Sequence, residues 1–371
     1  MIQLSVIIPA YNMEALLPAC LGSLLGGVPD PRLEALVVND GSSDGTLALA
    51  REWEARHPGA VRVVDKPNGN YGSTINAALP LCRGRWVKIL DSDDTFAPDA
   101  VPLFLDALEN ADADMAVTHF SILRADGSRE LAKYNLYGRE PYDYGRVYDL
   151  DSVLADGWIR FFLMHSLAWR TEMLRAMGYR QTEGVSYTDL EWSSYPLVRA
   201  RSIVFLDMDL YQYNLAREGQ TMDPAVMARR RGQLATVTLN MLDFFSALPS
   251  GELSGVREEF LRSYLSNRCR VLAKCWLLDI PRSDFDPAEF ERVDEKITLA
   301  RGRWAVPDFR LYPENKIIRI DAYAWWKKHR SRLPAPVEAL SRAADKVVVP
   351  LYRALFRRQR QPRMRSLSAI R

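Results

Sequence analysis

Short apolar runs alternate with segments of helical period over the first hundred positions. LSVIIPA (4–10), LEALVVND (33–40), VRVVDK (61–66) and WVKILD (86–91) are brief and rich in Val, Ile and Leu, which predicts strands. Between them EALLPACLGSLL, TLALAREWEARH and GSTINAALPLC space their apolar residues for helices. Ser42, Ser43, Asp44 and Thr46 stand as candidate caps before the second of these. Repeated strand and helix units of this kind predict an α/β fold with a Rossmann-like, mostly parallel central sheet and flanking helices.

Beyond Asp99 a helix is expected from Val101 to Asn110, followed by a strand in ADMAVTHFSIL. KYNLYGREPYDYGRVYDL, rich in Tyr and Gly, reads as loop. Residues 151–178 read as largely helical, and Tyr187 and Thr188 lead into a helix within GVSYTDLEWSSYPLVRA. SIVFLDMDLYQYN gives one or two more strands before the polar segment LAREGQTMD, and helical period dominates from Ala225 to about Lys328. The expected organisation is a nucleotide-binding half (1–115), an acceptor half (116–224), a C-terminal helical region (225–330) and a basic, partly amphipathic tail (331–371).

Each of the first four strands ends in polar residues: Tyr11 and Asn12, Asn39 and Asp40, Asp65 and Lys66, then Asp91, Asp93 and Asp94. In an open α/β sheet the ligand crevice lies outside the carboxyl ends of the strands. Four strand ends therefore point at one site. Three carboxylates within four positions have three physical readings: a helix cap with solvated neighbours, a proton-transfer pair, or ligands for a hard divalent cation such as Mn²⁺ or Mg²⁺. The same crevice receives Asp40, Lys66, the loop KPNGNYGSTIN with Gly69 and Gly72 for close backbone approach, and Arg217 if its loop folds over. A nucleoside diphosphate with its metal accounts for all of them together.

Charge changes the picture at one end. The chain of 371 residues carries a net +2, which argues against nucleic acid as a partner. From Asp321 to Arg371, however, 13 Lys and Arg face 3 Asp and Glu, so the remainder is acidic. YAWWKKHRSRL and VVVPLYRALFRRQRQPRMR set aromatic and aliphatic residues beside dense positive charge, which suits either a solvated end or peripheral contact with an anionic membrane. Cys20, Cys82, Cys269 and Cys275 stand singly, without metal-ligand spacing, as buried free thiols of a reducing compartment. The opening MIQLSVIIPAYN has no leader pattern, and no run of about 18 apolar residues occurs, so a cytoplasmic location is expected.

SVIIPAYNMEALLPACLGSLL, VVNDGSSDGT, KPNGNYGSTINAAL and VKILDSDD occur in order and together resemble the family 2 glycosyltransferases of the glycosyltransferase-A fold. NGNYGSTIN and YQYNLAREGQTM further resemble a bacterial subgroup of cell-surface polysaccharide synthesis, where Gly-His often replaces Asn70-Tyr71. The resemblance implies that Pro9, Tyr11 and Glu14 surround the nucleotide base and that Asp40 contacts uracil or ribose. It implies that Asp91 faces ribose and metal, that Asp93 ligates the cation to the diphosphate, and that Asp189 in YTDLEW is the general base. Thr188 stands where the family usually has Glu, leaving Glu191 as the lesser alternative. The implied activity is metal-dependent, inverting transfer of a sugar from a nucleotide sugar, by family habit UDP-linked, to a glycan or lipid-linked acceptor.

Chemistry agrees with that implication. Loss of a nucleoside diphosphate needs charge neutralisation, from a metal and a cation such as Arg217, and a carboxylate must take the acceptor's proton. His119 and His165 are alternative bases with a simpler structural reading, and Trp158, Phe161, Phe162 and Trp169 read as core or as a sugar-stacking wall. Asp94 is assigned to capping or support of its loop. Among rivals, a sugar-nucleotide pyrophosphorylase needs a Gly-rich basic loop where PAYNMEAL stands. A receiver domain needs an acidic pair where Tyr11 and Asn12 stand. A catalytically inactive nucleotide-sugar-binding or scaffold subunit keeps the fold but has no use for Asp40, Asp91, Asp93 and Asp189 together.

Overall fold

The computed structural model describes residues 1–26, 29–133, 141–215, 224–300, 304, 309–312, 320–344 and 346. Its strands are β1 (Leu4–Ala10), β2 (Leu33–Asp40), β3 (Val61–Lys66), β4 (Trp86–Ile89), β5 (Thr95–Phe96), β6 (Met115–Arg124), β7 (Arg129–Ala132), β8 (Val147–Asp149), β9 (Leu167–Arg170) and β10 (Ser202–Leu215). Helices α1 (Leu17–Leu25), α2 (Thr46–Arg56), α3 (Asn70–Ala78) and α4 (Ala100–Asn110) follow the early strands. Three short helices lie in the middle of the chain: α5 (Leu150–Ala155), α6 (Thr171–Ala176) and α7 (Asp189–Ser194). The C-terminal region holds α8 (Pro224–Arg229), α9 (Arg231–Ser246), α10 (Gly255–Lys274), α11 (Pro287–Leu299) and α12 (Ala322–His329).

All of these strands join one sheet, in the order β3-β2-β1-β4-β9-β6-β10-β5, with β7 added to β6 and β8 to β10. β1 to β4 are parallel. β9 pairs antiparallel with both β4 and β6, and β6 runs parallel to β10. The carboxyl ends of β1, β2, β3, β4, β6 and β10 consequently face one edge, where the ligand crevice of such a sheet lies.

β9 corrects the expectation of helix over 151–178: only Leu150–Ala155 and Thr171–Ala176 are α-helical, Met164–Ser166 forms a 3-10 turn, and Leu167–Arg170 is a strand between two others. A short buried apolar run has no polar face to reveal its period, so strand and helix look alike in sequence. SIVFLDMDLYQYN is a single strand, irregular between Phe205 and Tyr211.

Alternation along the strands divides the core by sheet face. Leu4, Val6, Ile8, Ala35 and Val37 pack with α1 and α4, whereas Ile7, Leu36 and Val38 face the side holding α3, α7 and the C-terminal helices. The C-terminal region therefore lies over the same face as the segment that carries Asp189.

The basic end that begins near Asp321 is partly built into the body. Tyr323 and Trp326 are buried, and Asp294 accepts hydrogen bonds from Tyr323 Oη (2.6 Å), Trp326 Nε1 (3.0 Å) and Lys327 Nζ. Arg332 is buried against Glu338 and donates to the Ile280 carbonyl oxygen at 2.9 Å. Tyr323 and Trp326 of YAWWKKHRSRL thus turn into the core, where a buried carboxylate receives their polar atoms. Residues 347–371 lie outside the described residues, as does Arg217. Among the described residues, no helix is long and apolar enough to cross a membrane.

Candidate active site

The turn after β4 gathers the three carboxylates. Oxygens of Asp91, Asp93 and Asp94 lie within 4.8 Å of one another. Asp91 and Asp93 are half-buried, while Asp94 is buried at 2% exposure. Burial and the neighbouring Asp93 charge push the Asp91 carboxyl up to about 7, with the charge of Asp189 adding to the effect. Burial, then Asp91 and Asp93, also raises Asp94. Negative charge is concentrated here, and an all-oxygen donor set suits a hard divalent cation.

Two tyrosines fix this turn. Tyr71 Oη, from the first turn of α3, donates to Asp91 Oδ1 at 2.7 Å. Tyr211 Oη, from β10, donates to Asp94 Oδ2 at 2.6 Å and accepts the Asp91 N–H at 3.2 Å. The Asn214 N–H supplies Asp94 Oδ1 at 2.7 Å, so both oxygens of Asp94 are occupied within the chain. Asp94 supports the loop and does not cap the next helix, which begins after Asp99. Neither tyrosine was identified as a site residue from sequence. The signal for Tyr71 was its departure from the Gly-His of the related block.

The loops after β1 and β2 are laced together. The Asn12 N–H donates to Ser42 Oγ (3.0 Å), Asn12 Oδ1 accepts the Ser43 N–H (2.8 Å), and Glu14 Oε2 accepts the Gly45 N–H (2.9 Å). Glu14 accordingly holds the entry to α2. Pro9 is buried in β1, paired in register with Val38, and Tyr11 stands half exposed at the mouth. Asp40, buried, accepts from Lys66 Nζ (2.7 Å) and the Gly69 N–H (2.9 Å) through Oδ1. Lys66 Nζ also donates to the Pro67 carbonyl (2.6 Å) and to Ser73 Oγ (2.8 Å), which uses the three donors of its ammonium within the loop. Lys66 anchors Asp40 and the start of α3.

Gly72 corrects another expectation. A Cβ there would stand 2.1 Å from the Thr182 carbonyl oxygen, so its missing side chain admits residues 181–182 and not a ligand. At Gly69 the near atoms are Ser73 and Lys66. This contact docks α3 against the segment before α7. Asn76 strengthens it, its Oδ1 accepting the Gln181 N–H and its Nδ2 donating to the Gln181 carbonyl, both at 2.8 Å.

Asp189 opens α7 in that segment. Tyr187, two residues earlier, has φ of 71°, a backbone region that bulky side chains rarely adopt, and the chain bends there into the helix. Burial raises the Asp189 carboxyl, opposed by the positive charge of Arg268 from α10. Arg268 was not singled out from sequence, because its proximity depends on how the C-terminal helices pack. Glu191 is fully buried, with Oε2 accepting the Thr182 N–H (2.7 Å) and Oε1 the Thr182 hydroxyl (2.6 Å).

His119 and His165 have structural surroundings. His119 is buried beside Tyr144 and Asp207, each 3.3 Å away. His165 packs among Phe120, Tyr211 and Tyr213, and burial followed by the Lys88 charge pulls it down to about 3. Phe162 and Trp169 are core, as the simpler reading of that aromatic group held.

A sheet of this order with an acidic turn after the fourth parallel strand defines the glycosyltransferase-A fold, and solved structures bear this out. Staphylococcus aureus TarS, residues 1–349 in complex with UDP-GlcNAc, superposes with a TM-score of 0.61 at 20% identity, covering 97% of this chain and 93% of that one. A Pyrobaculum calidifontis mannosyltransferase in complex with GDP-Man and Mn²⁺ has a TM-score of 0.50 at 17% identity, over 96% and 87%. Residues 5–169 match the family model described as glycosyl transferase family 2. Escherichia coli chondroitin synthase is 38% identical over 140 residues, 37% of this chain and 20% of that one. The chain spans less than half the length of the curated relatives it matches most strongly.

Proposed function

We propose that the protein is a metal-dependent, inverting glycosyltransferase that moves a sugar from a nucleoside diphosphate sugar to a glycan or lipid-linked acceptor in cell-surface polysaccharide synthesis. The observation that carries this reading is the convergence of the Asp91–Asp94 turn, Asp40 and Asp189 on one edge of the sheet, with the Asp189 charge close enough to raise Asp91. Pro9, Tyr11 and Asp40 would border the nucleoside, with Glu14 and Lys66 holding the loops that form its walls. Asp93 and Asp91 would hold Mn²⁺ or Mg²⁺, which when bound neutralises charge gathering on the departing diphosphate.

Asp189 would accept the proton of the acceptor hydroxyl as its oxygen forms the new bond to the anomeric carbon and the bond to the diphosphate breaks. A raised carboxyl is better matched to that task than an ordinary one. With one base and, among the described residues, no side chain assigned as a covalent nucleophile, single displacement would invert the anomeric configuration. Arg217, outside the described residues, would meet the diphosphate. UDP is the first nucleotide to test, since UDP-GlcNAc occupies the TarS structure, and GDP the second, since GDP-Man occupies the mannosyltransferase. Screening UDP- and GDP-sugars for Mn²⁺-dependent binding and turnover tests the proposal. Binding with transfer supports it, and binding without turnover on any acceptor favours the inactive-subunit alternative.

A further inference from the structure

We propose that Tyr71 is a positioning residue of this site: its hydroxyl, bonded to Oδ1 of Asp91, leaves Oδ2 as the oxygen that Asp91 turns toward a cation and its diphosphate. The inference rests on the functional reading above and goes beyond it by assigning a residue outside the acidic turn. Asp91 Oδ1 receives Tyr71 at 2.7 Å, and among the described residues Oδ2 accepts no hydrogen bond. A carboxylate with one oxygen held by a phenol is oriented to present the other oxygen to a cation, whereas an unrestrained one can swing or chelate with both.

Tyr71 stands on a rigid support. Asn70 begins α3 with φ of 63°, a conformation Asn tolerates, and Ser73 Oγ donates to its carbonyl at 2.6 Å. Thr74 Oγ1 donates to the Tyr71 carbonyl at 2.6 Å, and the Gly72–Thr182 contact locks the helix sideways. Met164 Sδ lies 3.6 Å from the phenolic oxygen. On the far side of the turn, Tyr211 and the Asp94 N–H, which donates to the Asp91 carbonyl at 3.0 Å, fix the backbone. With the backbone tied, the remaining freedom of Asp91 is rotation of its carboxylate, and Tyr71 removes it. The same ring lies within the field of Asp189, so one side chain joins the helix docked on the base segment to the acidic turn.

The test measures binding of UDP and GDP by calorimetry, with and without Mn²⁺, for the wild type, Tyr71→Phe, Asp91→Asn and the double variant. Tyr71→Phe is expected to weaken the Mn²⁺-dependent part of binding roughly tenfold, as loss of a partner that orients a metal ligand does. Metal-free nucleotide binding and melting temperature should stay near the wild type, which a merely structural role would not predict. In the double variant Tyr71→Phe should add nothing to Asp91→Asn, since it acts through that carboxylate. Unchanged Mn²⁺-dependent binding in Tyr71→Phe, or independent effects in the double variant, would overturn the assignment while leaving the functional reading intact. Absence of Mn²⁺-dependent binding of either nucleotide by the wild type would overturn the functional reading and this inference with it.

Discussion

Glu191 accepts two hydrogen bonds from Thr182, from the N–H at 2.7 Å and from the hydroxyl at 2.6 Å. The carboxylate two positions after Asp189 is therefore committed to holding the segment that packs on Gly72. Glu191→Gln should lower stability by about 1–3 kcal/mol, because it leaves a buried donor or acceptor mismatched. Thermal unfolding checks this. Loss of transfer in a Glu191→Gln protein with wild-type melting would instead make Glu191 the base.

Gly72→Ala should be damaging although it adds one methyl group. The new Cβ would meet the Thr182 carbonyl oxygen at 2.1 Å, and backbone on both sides must shift. A cost of about 1–3 kcal/mol is expected from such overpacking. Because α3 also carries Tyr71, Mn²⁺-dependent nucleotide binding should fall with it. Wild-type stability and binding in the alanine variant would show that the two segments are not locked.

Asp189 sets a pH dependence. Its carboxyl is raised by burial and must be ionised to take a proton, so kcat/KM should fall on the acid side at a pH above the ordinary carboxylate value. Stability runs the other way. The unfolded form ionises first, so stability declines as pH rises from the unfolded to the folded value and remains lower above it. Asp189→Asn should abolish transfer yet melt at or above the wild-type temperature at neutral pH. An acid limb at or below the ordinary carboxylate range would contradict the assignment.

Residues 347–371 are the part of the basic end to test for membrane contact, since Arg332 and the aromatic face of α12 are built into the core. Removing 347–371 should release the protein from vesicles rich in anionic lipid and leave folding unchanged. Equal sedimentation of both forms with those vesicles would refute peripheral attachment. Charge of this kind acts within about a Debye length, so binding should weaken with added salt.

The parallel half of the sheet was legible because each strand is a compact apolar run and each crossover has its own helical period. β9 was not, since a strand inserted between two distant strands obtains its pairing from outside its own sequence. At the site, the acidic turn could be read from residue type and order, whereas Asp189 was singled out only through the family resemblance. Lys66 and Gly72 carried an ambiguous signal: a lysine and a glycine beside a crevice can serve a ligand or the loop, and only the three hydrogen bonds of Lys66 and the Thr182 contact distinguish the two. Tyr211 and Arg268 were invisible for a different reason. Their roles come from contacts across 117 positions for Tyr211 and Asp94, and from helix packing for Arg268.

The most direct measurement is calorimetric titration of UDP and GDP into the wild type and Asp93→Asn, each with and without Mn²⁺. The account predicts that Mn²⁺ tightens binding of one of these nucleotides to the wild type and that Asp93→Asn loses this increment while remaining folded. Equal Mn²⁺ enhancement in both proteins would contradict the placement of the cation at the Asp91–Asp94 turn.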